Sequence, residues 1–227
     1  MLYYPLMKRI PLIISLVLLF CFYANAQSKA DGGATNDGTY TNPDFGFSFK
    51  YPKDWSVHGE ATNERIREIG KIKATESGAS EPSLDVALKN TYQLLTVFRY
   101  PIGTPGVTFN PGILVMAEKV AHAPGITNGK DYLLNVRAVA LKYGSQPLLK
   151  EPTEYHFGGS QFFRDDFDVV VGNGVHVFQS SFATLVDRYA LVFIFMNKDQ
   201  TSVDEMSKAM ETFVRTPKGV TTQHKPN

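Results

Sequence analysis

Apolar and polar positions alternate most regularly in the C-terminal third of the chain. Phe163, Asp165, Phe167, Val169 and Val171 are interleaved with Arg164, Asp166, Asp168 and Val170, the period of a half-buried strand. Asn173-Gly174 follows, a pair suited to a two-residue hairpin turn with positive φ. Counting from that turn pairs Val171 with His176, Val169 with Phe178, Phe167 with Ser180, Asp165 with Phe182 and Phe163 with Thr184. The same register sets Asp168 against Gln179, Asp166 against Ser181 and Arg164 against Ala183. Aromatics and valines then gather on one face and polar groups on the other, a division that a one-residue slip would invert.

Residues 189–196, Tyr-Ala-Leu-Val-Phe-Ile-Phe-Met, are apolar throughout and too short for an unsupported helix, so a strand covered on both faces is expected. Two helices are available as cover. One spans residues 131–143 before Gly144, with Leu133, Leu134, Val136, Ala140 and Leu141 toward the sheet. The other opens at a capping box, Ser202 with Glu205, and carries Val203, Met206, Met210 and Phe213 at spacings of three and four. Upstream, Phe45, Phe47, Phe49 and Tyr51 alternate before Pro52, and residues 92–100 and 113–120 read as two further strands. Ile66, Ile69 and Ile72 fit helical spacing, whereas residues 76–82 read as loop. Strand-to-strand turns with two separated helices make an α+β domain on a mainly antiparallel sheet, about residues 40–216, without internal repeats.

Composition bounds the partners. With 23 basic against 22 acidic residues the formal charge is +1, which gives no electrostatic case for nucleic acid. The first residues have the layout of an export signal: Lys8 and Arg9, an apolar run over 10–23, then Ala24-Asn25-Ala26. Cleavage after Ala26 is expected, with no transmembrane anchor left behind, and a secreted or periplasmic destination. The single cysteine, Cys21, follows Leu19-Phe20 where a lipid-anchoring signal wants small residues. Removing residues 1–26 from 227 leaves 201 without a thiol, so the fold must rest on its core rather than on disulfides. Residues 27–39 are small, polar and glycine-rich, a flexible tether, and residues 217–227 form a polar tail.

The segment over residues 40–55, Tyr-Thr-Asn-Pro-Asp-Phe-Gly-Phe-Ser-Phe-Lys-Tyr-Pro-Lys-Asp-Trp, resembles the first strand and Trp turn of PsbP-like domains. The Gly158-Gly159 turn, the long hairpin, the apolar strand from Tyr189 and the helix ending near Phe213 follow in that family's order. The resemblance covers nearly all of residues 40–216. It implies an α/β/α sandwich around an antiparallel sheet, and a role as a binding or assembly partner rather than an enzyme. No residue of the ion-associated or GTPase-binding surfaces of those relatives maps onto a position here.

Candidate chemistry is sparse. Gly158-Gly159-Ser160-Gln161-Phe162 departs from a nucleophile elbow at Phe162, and a strand follows where a helix is needed, so a hairpin turn explains it better. His58, His122, His156, His176 and His224 lack any spacing that places two ligands on one metal, and no phosphate loop or other cofactor motif is present. In the register above His176 sits at the edge of the apolar face. The polar hairpin face, Arg164, Asp166, Asp168, Gln179 and Ser181, is the best candidate binding surface: two aspartates two residues apart could share a cation, or simply be solvated with Arg164 screening Asp166. Residues 101–112, with three Pro and three Gly, are the other candidate contact. Two functions stay open, an exported non-catalytic domain contacting a protein or envelope component, and an extracytoplasmic hydrolase with an unidentified acid/base pair.

Overall fold

The structure, a computed structural model, describes residues 33–64, 68, 90–121, 123–142, 144–171 and 174–216. The export signal, the isoleucines at 66, 69 and 72, the loop expected at 76–82 and the polar tail lie outside the described residues. The first elements are β1 (Ala34–Asn36), β2 (Thr39–Asn42), β3 (Phe47–Lys50), β4 (Ser56–His58), β5 (Thr91–Phe98) and β6 (Gly112–Lys119). Helix α1 (Gly129–Lys142) precedes β7 (Gln146–Pro147), β8 (Thr153–Phe157), β9 (Ser160–Val171), β10 (Val175–Val186) and β11 (Tyr189–Asn197). Helix α2 (Gln200–Ser207) continues into a 3-10 turn (Lys208–Thr212) and β12 (Val214–Arg215).

The architecture is α+β and antiparallel, as the sequence pattern implies. A large sheet runs β4-β5-β6-β11-β10-β9-β7, with β8 also paired to β9, and a small sheet runs β1-β2-β3-β12. Strand β11 lies in the middle of the large sheet between β6 and β10, and Leu191 to Met196 are buried without exception, which explains its unbroken apolar run. One face of the large sheet packs against α1 through Tyr132, Leu133 and Ala140, over Phe163, Phe167, Val192 and Ile194. The opposite face packs against the small sheet and α2 through Phe47, Phe49, Val203, Met210 and Phe213, over Phe162, Phe182 and Phe193. Helices therefore cover both faces, with the small sheet sharing the second.

Local chemistry explains the boundaries. Helix α1 starts at Asn128, whose Oδ1 accepts the Asp131 N–H at 3.0 Å, while Asp131 accepts the Thr127 N–H at 2.9 Å. It ends in a Schellman pair, Ser145 N–H to Ala140 C=O and Gly144 N–H to Leu141 C=O, with Gly144 at φ 83°. Its inward face is narrower than the sequence suggests: Leu134 and Leu141 are 42% and 51% exposed. Tyr132, one turn before Val136, takes their place, its hydroxyl donating to Glu118 Oε2 at 2.7 Å. In α2 the cap is Asp199, which accepts the Ser202 N–H, so the helix begins two residues before the capping box read from sequence. The expected stripe is present, with Val203, Met210 and Phe213 buried and Met206 partly so.

Part of the segment expected as a flexible tether is strand instead. Asp37 and Gly38, at φ 43° and 74°, make the two-residue turn of a hairpin that recruits residues 34–36 and 39 into the small sheet. The following turn is stabilised from inside, since fully buried Asn42 accepts the Phe45 N–H at 3.0 Å and donates to the Tyr40 hydroxyl at 2.8 Å. Phe47 then stacks on Phe213 at 5.7 Å and meets Phe193 edge-on at 5.5 Å, tying the small sheet to the large one.

The hairpin register differs from the sequence reading by one residue. Val171 pairs with Val175, Val169 with Val177, Phe167 with Gln179, Asp165 with Ser181 and Phe163 with Ala183. The connection thus has three residues, and Gly174, at φ 75°, supplies the left-handed position that such hairpins place last. Every side chain of β10 accordingly points to the face opposite to that expected.

Candidate functional site

The one-residue slip divides the candidate face. Arg164, Asp166 and Asp168 remain together on the face toward α2, but their cross-strand neighbours are Phe182, Ser180 and Phe178. Gln179 and Ser181 turn instead toward α1, buried beside Asp165, where Gln179 Nε2 donates to Ser181 Oγ at 3.0 Å. The five residues therefore do not form one binding surface.

On the α2 face Arg164 is the hub. Its Nε donates to Asp166 Oδ1 at 2.7 Å, its Nη2 donates to Ser180 Oγ at 3.0 Å and to Asp204 Oδ1, and its guanidinium lies 5.5 Å from the centre of the Phe182 ring. Burial opposes the charge on Arg164, but the carboxylates of Asp166 and Asp204 outweigh it and hold its pKa above the ordinary value. Asp166 is only 5% exposed, so the screening partner expected for it is present but in the interior, not on a solvated face. Gln200 Nε2 completes the cluster by donating to Asp204 Oδ1 at 3.0 Å.

The α1 face holds a second ion pair. Asp165, fully buried on the stripe of Phe163 and Phe167, accepts from Arg137 Nε and Nη2 at 2.9 and 2.5 Å, and Arg137 Nη1 reaches the Lys150 carbonyl at 2.8 Å. Burial pushes the Asp165 carboxyl up, against the pull of Arg137. A carboxylate in an apolar stripe demands a basic partner, and Arg137, four residues after buried Leu133 on the same helix face, is the signal by which the sequence could have revealed it. Asp204 and Ser180 carried no such signal, because their roles depend on the register and on the seating of α2.

Near the hairpin end, His176 Nδ1 lies 2.8 and 2.9 Å from the two Asp168 oxygens, with the His176 side chain 55% exposed. His176 is thus on the polar face and in water, not at the core edge. Asp166 and Asp168 each face a basic partner, and among the described residues no three His, Cys, Asp or Glu converge as a metal site. The Gly158-Gly159 pair, at φ 53° and 76°, is the hairpin turn between β8 and β9, with His156 opposite Gln161.

Residues 99–112 form a pinned loop. Asn110 accepts the Tyr100 N–H at 3.0 Å and donates to the Tyr100 carbonyl at 2.6 Å. Thr104 N–H bonds Pro101 C=O and Val107 N–H bonds Thr104 C=O, with Gly103 and Gly106 at φ 87° and 80°, the signature of two successive type II turns. Lys198 braces the far side, bonding Thr108 Oγ1 at 3.2 Å above the Phe109 ring. This loop exposes Tyr100 and Ile102, at 38% and 52%.

No family model matches the chain, and no curated protein matches it. Among solved structures it is similar to cyanobacterial PsbP (CyanoP) from Synechocystis, at 12% identity over 85% of this chain and 98% of that one, with a TM-score of 0.47. It is also similar to LpqN of Mycobacterium tuberculosis, described as involved in cell envelope biogenesis, at 12% identity over 75% and 83% of the two chains, with a TM-score of 0.42. Among the described residues no helix is long and apolar enough to cross a membrane.

Proposed function

We propose that this chain is an exported, non-catalytic binding or assembly domain of PsbP-like type that contacts a protein or envelope component through the loop at residues 99–112. The observation that carries the reading is the exposure of Tyr100 and Ile102 on a loop fixed by backbone-directed bonds from Asn110. An aromatic and an aliphatic side chain held in place before binding lose little entropy on contact, which favours a protein surface as partner. The export layout of residues 8–26 and the family-like segment at 40–55 support the same reading, while Arg164 and Asp165 are consumed by internal partners and serve as braces. A photo-crosslinking residue at position 102, in cells that export the protein, should give one discrete adduct that a probe at exposed Leu141 does not give. Equal labelling from both positions would overturn the reading.

A second reading, an extracytoplasmic hydrolase, draws on the Asp168–His176 pair, in which a carboxylate orients an exposed imidazole as a base requires. It predicts turnover of an ester or amide substrate that His176→Ala abolishes, whereas the binding reading predicts no effect of that change on function.

A further inference from the structure

Arg99 stands where β5 gives way to the loop, its N–H still bonded to the Pro111 carbonyl at 2.9 Å. Its side chain is exposed, and the guanidinium lies 5.5 Å from the centre of the Tyr100 ring. Among the described residues no carboxylate pairs with it. The other cation beside the loop, Lys198, is engaged by Thr108 Oγ1 and the Phe109 ring, again with no carboxylate partner among the described residues. Residues 99–112 themselves contain no Asp or Glu.

The polar side chains of the loop are otherwise used within it. Asn110 holds both the N–H and the carbonyl of Tyr100, the Thr104 hydroxyl donates to the Pro101 carbonyl at 2.6 Å, and Thr108 accepts from Lys198. Arg99 keeps the open donors of a planar fork, a shape that fits a carboxylate through two parallel bonds. The Tyr100 ring restrains that fork before any partner arrives, which lowers the entropy lost on contact.

The surroundings of Arg99 are apolar. Val57 on β4 pairs with Val97, two residues before Arg99 and on the same sheet face, and is 44% exposed. Ile102 lies three residues further along the chain. A partner that covers Tyr100 and Ile102 takes Arg99 out of water as well, and a cation covered without a counter-charge is costly. A wholly apolar partner surface is therefore disfavoured by the same patch that attracts it.

From this arrangement we propose that the loop recognises an acidic segment of a partner protein, with a carboxylate received by Arg99 and an apolar side chain seated on Tyr100 and Ile102. The proposal rests on the contact role given to this loop above and adds the chemistry of what binds there. Tyr and Arg together are typical of protein interfaces, whereas anionic membrane surfaces are met by clusters of Lys and Arg, so one guanidinium among apolar groups favours a protein.

The experiment follows the adduct from a photo-crosslinking residue at position 102, in exporting cells, in proteins carrying Arg99→Gln, Arg99→Glu or, as a control, Lys150→Glu at an exposed position beside α1. The adduct should fall several-fold with Arg99→Gln, about tenfold or more with Arg99→Glu, and not at all with Lys150→Glu. Melting temperatures should stay at the parent value, because Arg99 has no ion pair to lose. Mass spectrometry of the adduct locates the attachment point on the partner, and changing the adjacent Asp or Glu there to Lys should restore the adduct with Arg99→Glu. A discrete adduct undiminished by Arg99→Glu, or an attachment point with no acid beside it, would leave the loop as a contact and overturn the acidic partner. The absence of any discrete adduct from position 102 would overturn the contact role and this proposal together. Co-sedimentation of the purified protein with phosphatidylglycerol vesicles, lost on Arg99→Glu, would assign the patch to a membrane and also overturn the proposal.

Discussion

Arg164 on β9 and Asp204 on α2 are joined by a hydrogen-bonded ion pair, so the helix is held to the sheet by a charge as well as by Val203 and Met210. The two carboxylates that share Arg164 differ in burial, with side-chain exposures of 7% for Asp166 and 49% for Asp204. Replacing Asp166 with Ala should cost about 3 kcal/mol, because it leaves a guanidinium largely out of water with half its compensation. Replacing Asp204 should cost about 1 kcal/mol or less, since water can stand in. Urea denaturation of the two single variants checks the order; equal costs would mean that Asp166 is not the main partner.

The Arg137–Asp165 pair makes a sharper case. Asp165→Asn should destabilise by about 3 kcal/mol, whereas the double replacement Arg137→Met with Asp165→Leu should recover most of that loss, because an apolar pair of similar volume carries no desolvation penalty. A double variant no more stable than the single one would show that the pair contributes more than it costs to bury.

Asp131 gives the pH dependence. Hydrogen bonds from the Thr127 hydroxyl and N–H hold its carboxyl below the ordinary value of 3.8. A carboxylate depressed in the folded state contributes stability that is complete above the unfolded value and is lost as pH falls through the lower folded one. Asp131→Ala should therefore cost about 1 kcal/mol at neutral pH, the usual worth of such a cap, and progressively less as the pH drops below about 3.8. Paired denaturation curves at neutral and acid pH measure this, and a cost that grows on acidification would contradict it.

Two adjacent glycines should respond differently to alanine. At Gly158 a Cβ would meet the Phe213 carbonyl oxygen at 2.5 Å on a backbone at φ 53°, whereas at Gly159, at φ 76°, it would meet open space. Gly159→Ala should cost about 1 kcal/mol, from backbone strain alone, and Gly158→Ala clearly more. Thermal melting of both variants decides, and equal losses would place the turn differently.

Much of the fold was legible because its signals are local. The unbroken apolar run at 189–196 could only be a doubly covered strand, the Phe45 to Tyr51 alternation gave a buried edge, and the stripe ending at Phe213 gave α2. The register of β9 and β10 was not legible, since Gly172-Asn173-Gly174 can turn with two residues or three, and that single residue decides whether Gln179 or Ser180 faces Arg164. The candidate site inherited the same ambiguity. Arg164, Asp166 and Asp168 share one strand face, which alternation alone records, while Asp204, brought in from α2, depends on long-range packing that no local pattern records.

Ile102→Asp examines most directly the binding role of the loop at 99–112. Ile102 is 52% exposed, so the substitution should leave the melting temperature within about 2 °C of the parent, as expected for a surface change worth at most about 0.5 kcal/mol. In exporting cells carrying the crosslinking residue at position 100, the partner adduct should fall at least tenfold in the Ile102→Asp protein. An undiminished adduct at unchanged stability would contradict the claim that this loop is the contact surface.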